Sequence, residues 1–283
     1  MKTLILVLFF LVPCLVLGGE PNIPPAYQAL VDRLSRDGFD FKFLSKLFTD
    51  DRTEIIPERM MISLGSIEKE DWHTKFLTSE SILLARNFLS QNLKFLKRVE
   101  RQSKVDKEVI VAILLVESRF GENTGRYRVI PTLASMAAME IPDNLQTNYI
   151  ILREIDPELS YEWVAEKASR RANWAYHELK CFLTIIRDEK LDPLEVKGSY
   201  AGALGMCQFI PSSYLAYAKS QKGLESWLLS KEEAILSIAN YLSIHGWKKR
   251  MSTDKKKKIL WYYNHSEPYI DTVLNVAQTL KDK

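Results

Sequence analysis

The chain has 283 residues, of which 46% are hydrophobic and 27% charged, a composition typical of a soluble globular protein with one or two domains. Its formal net charge of +3 is too small to indicate nucleic-acid binding, although it is compatible with an anionic polymer as partner. The four histidines and three cysteines show no metal-ligand spacing and no disulfide framework. We therefore expect no metal.

The N-terminus has the pattern of a secretory signal. Lys2 precedes an apolar run from Leu4 to Leu17, which is shorter than the roughly 20 apolar residues that a membrane-spanning helix needs. We predict that residues 1–19 are a signal peptide and that the protein is exported. Membrane association is expected only if Cys14 is lipidated. Once the signal is removed, Cys181 and Cys207 remain, and the sequence leaves open whether they pair.

From Tyr27 onward most segments carry helical periodicity, and no alternating strand pattern or internal repeat is present. This pattern predicts a mainly α protein with little or no sheet. Ser79 and Asp106 are predicted to cap helices and Gly121 to end one, while Lys255–Lys258 reads as a solvated loop. The predicted helices are 26–36, 40–48, 79–102, 107–119, 131–139, 161–188, 212–219, 231–245 and 267–281.

The helix predicted at 107–119 carries a carboxylate on its apolar side. The apolar residues that recur at helical spacing on this side are Val109, Ala112, Ile113, Val116 and Phe120. Glu117 falls on the same side, near the C-terminal end. Burial and the negative end of the helix dipole both raise the pKa of such a carboxyl group, as a general acid requires. The alternative, which the pattern alone favours, is a structural ion pair with Arg119 or Arg126.

The segment KGSYAGALGMCQFIPSSY is rich in glycine and small residues. Its three glycines, at 198, 202 and 205, allow the backbone to approach another surface closely. Gln208 and Phe209 bring an amide and an aromatic ring to this loop, a combination suited to sugar recognition. The alternative is a tight corner between helices in which the glycines serve packing only.

Four segments together resemble a known family. VAILLVESRFG, GSYAGALGMCQFIPSSY, AILSIANYLSIHGW and WYYNHSEPYIDTV occur in the order found in the membrane-bound lytic transglycosylase B family. The resemblance extends from about Tyr27 to Val276. It implies a lysozyme-like helical domain at 106–283, an N-terminal helical region at 20–105 and an insertion at 139–168. It also implies export to the periplasm of a bacterium.

The same resemblance implies roles for individual residues. Glu117 matches the family's sole catalytic acid, and no second acidic residue occurs beside it in the recognised motifs. The residues that match substrate-binding groups of the family are Ser199, Gln208, Tyr241, Tyr263, Asn264, Tyr269, Arg170, Arg171 and, where relatives often carry a tyrosine, Trp72. The tyrosines can alternatively be core residues, and the paired arginines can be solvated.

The implied function is a lytic transglycosylase, a monomer that acts on peptidoglycan glycan strands without a cofactor. Such an enzyme cleaves the MurNAc–GlcNAc β-1,4 bond and forms 1,6-anhydro-MurNAc. The alternatives are a lysozyme-type hydrolase, a non-catalytic peptidoglycan-binding scaffold protein and, as the third, an exported helical adaptor.

Two further departures from the family pattern lead to expectations. The segment AKSQKGLESW lacks the aspartates that hold calcium in relatives, so we expect no calcium site. The short connection between Trp247 and Tyr263 predicts that a small subdomain is missing and that one side of the cleft is more open. The insertion at 139–168 would either cover the cleft or form a partner surface.

Overall fold

The computed structural model describes residues 22–282 except 58, 61–72 and 188. This part of the chain contains thirteen α-helices, so the predicted mainly α class is confirmed. The helices are α1 Pro25–Arg36, α2 Phe41–Phe48, α3 Ser79–Gln91, α4 Leu93–Ser103, α5 Lys107–Ser118, α6 Val129–Ala137, α7 Pro142–Ile155, α8 Tyr161–Ile186, α9 Pro211–Tyr217, α10 Leu224–Leu229, α11 Lys231–Ile244, α12 Thr253–Tyr263 and α13 Glu267–Lys281. Short 3-10 helices are formed by Thr74–Phe76 and Pro193–Glu195.

Three helices lie where the sequence predicted none, namely α7, α10 and α12. The prediction of a loop at Lys255–Lys258 was wrong, because these lysines belong to α12. The helix buries Ile259 and Leu260 and leaves most of its charged residues toward solvent. The sequence pattern did not predict this helix, because four consecutive lysines precede its short apolar stretch.

The long helix predicted at 79–102 is divided into α3 and α4 at Asn92. The side-chain amide of Asn92 donates a hydrogen bond to the carbonyl of Phe88 (2.8 Å) and so occupies a carbonyl at the end of α3. At the start of α3, the predicted cap at Ser79 was wrong by one position. The hydroxyl of Thr78 accepts the hydrogen bond from the backbone N–H of Ser81 (3.3 Å).

Helix α5 lies in the centre of the fold, where every residue from Val109 to Val116 is buried. It packs against α3, α4, α11 and α13. Asp106 precedes α5, but its side chain does not cap the helix as predicted. Its carboxylate instead accepts hydrogen bonds from Trp247 Nε1 (2.9 Å) and Lys281 Nζ (3.1 Å). Asp106 therefore links three distant parts of the chain.

The C-terminal end of α5 turns sharply directly after Ser118. Arg119, Phe120 and Gly121 all adopt positive φ values of 47°, 61° and 98°. The helix thus ends before the predicted stop at Gly121, and two non-glycine residues adopt a conformation that costs roughly 1–2 kcal/mol each. Stacking of Phe120 on Phe88, with ring centroids 4.2 Å apart, helps to hold this turn. As a result, Glu117 lies in the last turn of a buried helix.

The second half of the fold is built on α8, which packs against α6, α7 and α9. An antiparallel sheet of two short strands, β1 Tyr127–Arg128 and β2 Lys197–Gly198, pairs Tyr127 with Gly198. It joins the chain after α5 to the glycine-rich loop. The apolar core is continuous from α1 to α13. None of the helices in the described part of the chain is long and apolar enough to cross a membrane.

Candidate functional site

Glu117 combines a strongly desolvated carboxyl group with partial access to solvent. Burial raises the pKa of Glu117 from 4.5 to about 7, and the facing hydroxyl of Tyr269 acts in the opposite direction. A carboxyl group with this pKa is substantially protonated near neutral pH. It can therefore donate a proton under conditions in which an ordinary glutamate is ionised.

The alternative of a structural ion pair for Glu117 finds no support among the described residues. Arg119 lies 3.7 Å from Glu80 and 3.1 Å from Glu122, and Arg126 donates a hydrogen bond to the Tyr127 hydroxyl (3.2 Å). No charged side chain of the described chain affects the pKa of Glu117. The group is therefore neither neutralised by a cation nor paired with a second carboxylate.

Ser118 connects α5 to the glycine-rich loop. Its hydroxyl donates to the carbonyl of Met206 (2.9 Å) and accepts from the backbone N–H of Gly121 (3.0 Å). The side chain is buried, with 1% exposure. Sequence analysis missed this residue, because nothing in a local pattern identifies a partner 88 positions away. Through Ser118, the same turn that carries Glu117 also fixes the loop beside it.

Ser199 shapes the start of the loop. Its hydroxyl accepts hydrogen bonds from the backbone N–H groups of Ala201 and Ala203, both at 3.1 Å. The side chain remains partly exposed. At Gly125 a Cβ atom would lie 2.0 Å from the carbonyl carbon of Gly198, so the two backbones can approach only because this residue is glycine.

Gln208 lies on the same loop with a positive φ of 49°. Its amide nitrogen donates to the carbonyls of Thr124 (3.2 Å) and Gly205 (2.8 Å). The amide oxygen, assigned from this hydrogen-bond pattern, accepts no bond from the described residues and is the atom available to a ligand. Phe209 lies beneath the loop, 2% exposed, so its ring supports the loop rather than offering a face to a sugar.

The three predicted tyrosines pack against one another beside the glycine-rich loop. Tyr263 donates a hydrogen bond to the carbonyl of Cys207 (2.6 Å), and Tyr241 donates to the carbonyl of Tyr262 (2.6 Å). Tyr241 and Tyr263 are T-shaped neighbours, with ring centroids 4.9 Å apart. Tyr269 is 1% exposed, and its hydroxyl has no hydrogen bond of normal geometry.

Asn264 lies directly after α12 and is partly exposed. Its backbone N–H donates to the carbonyl of Leu260 (3.0 Å), and its own carbonyl accepts from Ser266 (2.9 Å). Within the part of the chain that the structure describes, its side-chain amide makes no hydrogen bond. The backbone is thus fixed, while the amide is available to a ligand.

Arg170 and Arg171 are exposed on α8, and among the described residues neither forms an ion pair with Glu117 or a hydrogen bond to the glycine-rich loop. With Lys167 and Trp174 they line a surface notch of about 360 Å³. Arg170 also forms an ion pair with Glu166. Trp72 lies outside the described residues.

Glu178 is a second residue that sequence analysis missed. Its carboxylate is 2% exposed and accepts hydrogen bonds from the backbone N–H (2.9 Å) and hydroxyl (2.8 Å) of Ser212. Ser212 is in the first turn of α9, where backbone N–H groups lack helical partners. Glu178 therefore holds α9, and with it the end of the glycine-rich loop, against α8.

Cys181 and Cys207 do not form a disulfide bond with each other. Burial raises the pKa of the Cys207 thiol well above its usual value, and its Sγ donates to the carbonyl of Ala234 (3.4 Å). A thiol in this state is a poor nucleophile.

One group of acidic side chains in the described chain has a spacing that could hold a metal ion, formed by Glu100, Asp106 and Glu108. Lysine ammonium groups lie within ion-pair distance of each carboxylate, from Lys107, Lys249 and Lys281. The group lies at the start of α5, roughly 16 Å along the helix from Glu117. It is therefore separate from the candidate catalytic carboxyl, and the expectation that the protein needs no metal stays a prediction.

Comparison with known proteins identifies relatives of this chain. The family model "Transglycosylase SLT domain" matches residues 23–256. The chain is 31% identical over 248 residues to the membrane-bound lytic murein transglycosylase B of Escherichia coli K12, which covers 82% of this chain. It spans only 60% of the length of that relative.

Solved structures agree on the fold. The soluble lytic transglycosylase SltB1 from Pseudomonas aeruginosa is 23% identical, with a TM-score of 0.70 over 92% of this chain and 99% of that one. SltB3 from Pseudomonas aeruginosa, solved in complex with NAG-NAM-pentapeptide, is 19% identical, with a TM-score of 0.67 over 92% of this chain and 81% of that one. At these identities the similarities show that the fold is shared.

Proposed function

Because this chain belongs to the family of the transglycosylase SLT domain, we propose that it is a lytic transglycosylase of peptidoglycan. It cleaves the β-1,4 bond between MurNAc and GlcNAc and leaves a 1,6-anhydro-MurNAc end. The observation that carries the proposal is Glu117, whose raised pKa of about 7 allows proton donation and which has no charged neighbour in the described chain.

In the first half of the reaction, Glu117 acts as the general acid. It gives its proton to the glycosidic oxygen, and the bond from that oxygen to C1 of MurNAc breaks. Positive charge then develops at C1 in an oxocarbenium-like transition state, as in other glycosidases. The desolvated surroundings of Glu117 favour the neutral acid before this step.

In the second half, the ionised Glu117 takes the proton of the MurNAc C6 hydroxyl, whose oxygen closes onto C1. The carboxyl group returns to its protonated state, and no water is consumed. Retaining and inverting hydrolases need a second carboxylate to act as nucleophile or to activate water. The absence of such a carboxylate near Glu117 among the described residues favours an internal nucleophile.

Substrate binding is assigned to the polar groups around Glu117. The amide oxygen of Gln208 and the side-chain amide of Asn264 are free for hydrogen bonds to sugar substituents. Ser199 is partly exposed at the loop, and its hydroxyl can also serve a ligand. Tyr241, Tyr263 and Phe209 pack beneath these polar groups and support the loop that carries Gln208. Arg170, Arg171 and Trp72 remain proposed contacts for more distant parts of the glycan or its peptide.

Location and organisation follow the same reasoning. The relatives' names describe membrane-bound and soluble murein-degrading enzymes. We infer that the chain is exported and acts in a bacterial periplasm as a monomer, with a lipid anchor only if Cys14 is modified. We further propose that residues 106–283 form the catalytic domain, that residues 20–105 are its N-terminal helical region and that residues 139–168 are an insertion.

A lysozyme-type hydrolase on the same fold is the nearest alternative, and a non-catalytic scaffold protein is the other.

The test is incubation of the mature protein and its Glu117→Gln variant with intact sacculi, followed by mass spectrometry of the soluble products. We expect anhydro-muropeptides from the wild type and none from the variant. Reducing ends would identify a hydrolase, and binding without any soluble product would identify a scaffold.

A further inference from the structure

Arg59 is a buried arginine for which the described part of the chain provides no counter-ion. Its side chain is 7% exposed, and it forms no ion pair with any described residue. Its Nε atom is buried and has no hydrogen-bond partner. An unpaired buried charge is costly, so arginines in this position normally have an anionic partner.

Arg126 lies next to the same aromatic ring as Arg59, that of Tyr127. The guanidinium carbon of Arg59 lies 3.7 Å from the centroid of the Tyr127 ring, and that of Arg126 lies 5.3 Å from it. Arg126 donates a hydrogen bond to the Tyr127 hydroxyl (3.2 Å), and the two arginines lower the pKa of this tyrosine. Two positive groups thus converge on one aromatic ring.

The neighbouring arginines differ from this pair because they are neutralised. Arg128 lies 3.4 Å from Glu195 and donates to the carbonyl of Leu194 (2.9 Å). Arg52 contacts three carboxylates, those of Asp50, Asp192 and Glu195. Arg52 and Arg128 are thus neutralised by carboxylates, whereas Arg59 and Arg126 form no ion pair with any residue that the structure describes.

The unbalanced pair lies beside the candidate catalytic site. Tyr127 pairs with Gly198 in the two-stranded sheet, directly before Ser199. Thr124, two residues before Arg126, accepts the hydrogen bond from Gln208. The backbone on which both arginines converge is thus the same backbone that holds the substrate-binding loop.

The segment that carries Arg59 is anchored to the core. The backbone N–H of Ile56 donates to Ser135 (2.8 Å), and the Tyr27 hydroxyl donates to the carbonyl of Glu54 (3.0 Å). Arg59 in turn donates its backbone N–H to Ile56 (3.0 Å). A guanidinium group on such a support is pre-organised, which reduces the entropy lost when a ligand binds.

We propose that Arg59 and Arg126 form an anion-binding site that receives a carboxylate of the stem peptide attached to MurNAc. Guanidinium groups bind carboxylates through paired, charge-assisted hydrogen bonds. The glycan of peptidoglycan is uncharged wherever its lactyl group is in amide linkage, so the carboxylates of its substrate lie on the peptide. The inference rests on the proposed function for the identity of the ligand.

The test uses binding, so that it does not depend on catalysis. In a Glu117→Gln background, calorimetry measures the affinity for the disaccharide GlcNAc-MurNAc carrying a tetrapeptide and for the same disaccharide whose lactyl carboxyl group is capped as a neutral methylamide in place of the peptide. Arg126→Ala, at an exposed position, is expected to weaken binding of the peptide-bearing ligand about tenfold and to leave the peptide-free ligand unchanged. Arg101→Ala, an exposed arginine on α4, is the matched control.

Arg59→Gln is the second variant and should show the same selective loss, provided that its thermal unfolding remains cooperative. If it fails to fold, Arg126→Ala alone decides the question. Equal losses for both ligands, or none for the peptide-bearing ligand, would overturn the anion site. A wild type that binds the peptide-bearing ligand through Arg126 but releases no product from sacculi would instead contradict the proposed function and leave the site intact.

Discussion

The hydroxyl of Tyr269 faces the carboxyl group of Glu117 and acts against the effect of burial on its pKa. The two residues belong to α13 and α5, which pack against each other in the core. Tyr269 is 1% exposed, and its hydroxyl forms no hydrogen bond of normal geometry. The Tyr269 ring therefore belongs to the core, while its hydroxyl acts on Glu117.

Replacement of Tyr269 by phenylalanine separates these two roles. Because the hydroxyl lowers the pKa of Glu117, its removal is expected to raise that pKa above about 7 and to move the alkaline limb of the pH–rate profile upward. The free energy of unfolding should change little, because the Tyr269 hydroxyl makes no hydrogen bond of normal geometry. The profile of kcat/KM against pH and a thermal unfolding curve measure the two effects.

Tyr263→Phe is the matched comparison, because the Tyr263 hydroxyl does donate a hydrogen bond to Cys207 (2.6 Å). Its loss leaves a carbonyl of the loop unsatisfied and should lower the free energy of unfolding by about 1–2 kcal/mol. A Tyr269→Phe variant as destabilised as Tyr263→Phe, with an unchanged pH profile, would contradict the assignment.

The raised pKa of Glu117 also predicts how stability depends on pH. Between its unfolded value of 4.5 and its folded value of about 7, the native state binds more protons than the unfolded state. The contribution of Glu117 is therefore fully present below pH 4.5 and is lost as pH rises through about 7. We expect wild type to lose about 1–3 kcal/mol relative to Glu117→Gln across this range.

Denaturant unfolding of both proteins at a series of pH values measures this difference. The Gln side chain does not titrate, so it provides the reference for all other groups. A constant difference between the two proteins from pH 5 to pH 8 would mean that Glu117 has an ordinary pKa.

Ser118→Ala tests the connection between α5 and the glycine-rich loop. The substitution leaves the Met206 carbonyl without the Ser118 hydroxyl, while the Gly121 N–H keeps its bond to the Ser118 backbone carbonyl (3.1 Å). The expected cost is about 1–3 kcal/mol in the free energy of unfolding. Because the loop would lose its support, kcat/KM should fall although Glu117 is intact.

Ser90→Ala is the control for Ser118→Ala, since Ser90 is exposed and bonds only within its own helix. It should change neither stability nor activity. Full activity of Ser118→Ala would show that the loop does not need this attachment.

Gly125→Ala tests the close approach of two backbones beside Ser199. A Cβ atom at this position meets the Gly198 carbonyl carbon at 2.0 Å, and its φ of +96° is unfavourable for alanine. We expect a loss of roughly 2–4 kcal/mol in unfolding free energy. Gly38→Ala has a similar φ of +94° but open space around it, so it should cost only about 1 kcal/mol. Similar losses for both variants in chemical denaturation would mean that the contact with Gly198 is unimportant.

Sequence periodicity was sufficient for the part of the site that lies on one helix. The spacing of apolar residues in α5 predicted that Glu117 faces the interior, and its raised pKa agrees with that prediction. The glycine-rich loop was also recognisable, because Gly202 and Gly205 are needed where its backbone lies close to the side chains of Leu133 and Trp227. Both features depend on residues that are close in sequence.

The remaining features depend on contacts between distant residues, which periodicity does not report. Ser118 and Met206 are 88 positions apart, and Glu178 and Ser212 are 34 apart. The left-handed turn after α5 uses Arg119 and Phe120, two residue types that do not signal such a turn. The insertion that was expected at 139–168 contributes α7, whose short amphipathic pattern the sequence did not separate from its surroundings.

The central claim is that Glu117 directs an internal C6 hydroxyl, and not water, to the anomeric carbon. Digestion of intact sacculi in water enriched in ¹⁸O, followed by mass spectrometry of the released muropeptides, tests it most directly. The account predicts anhydro ends that carry no ¹⁸O, because no water enters the product. Reducing ends with one ¹⁸O at C1 would contradict it and identify a hydrolase on the same fold.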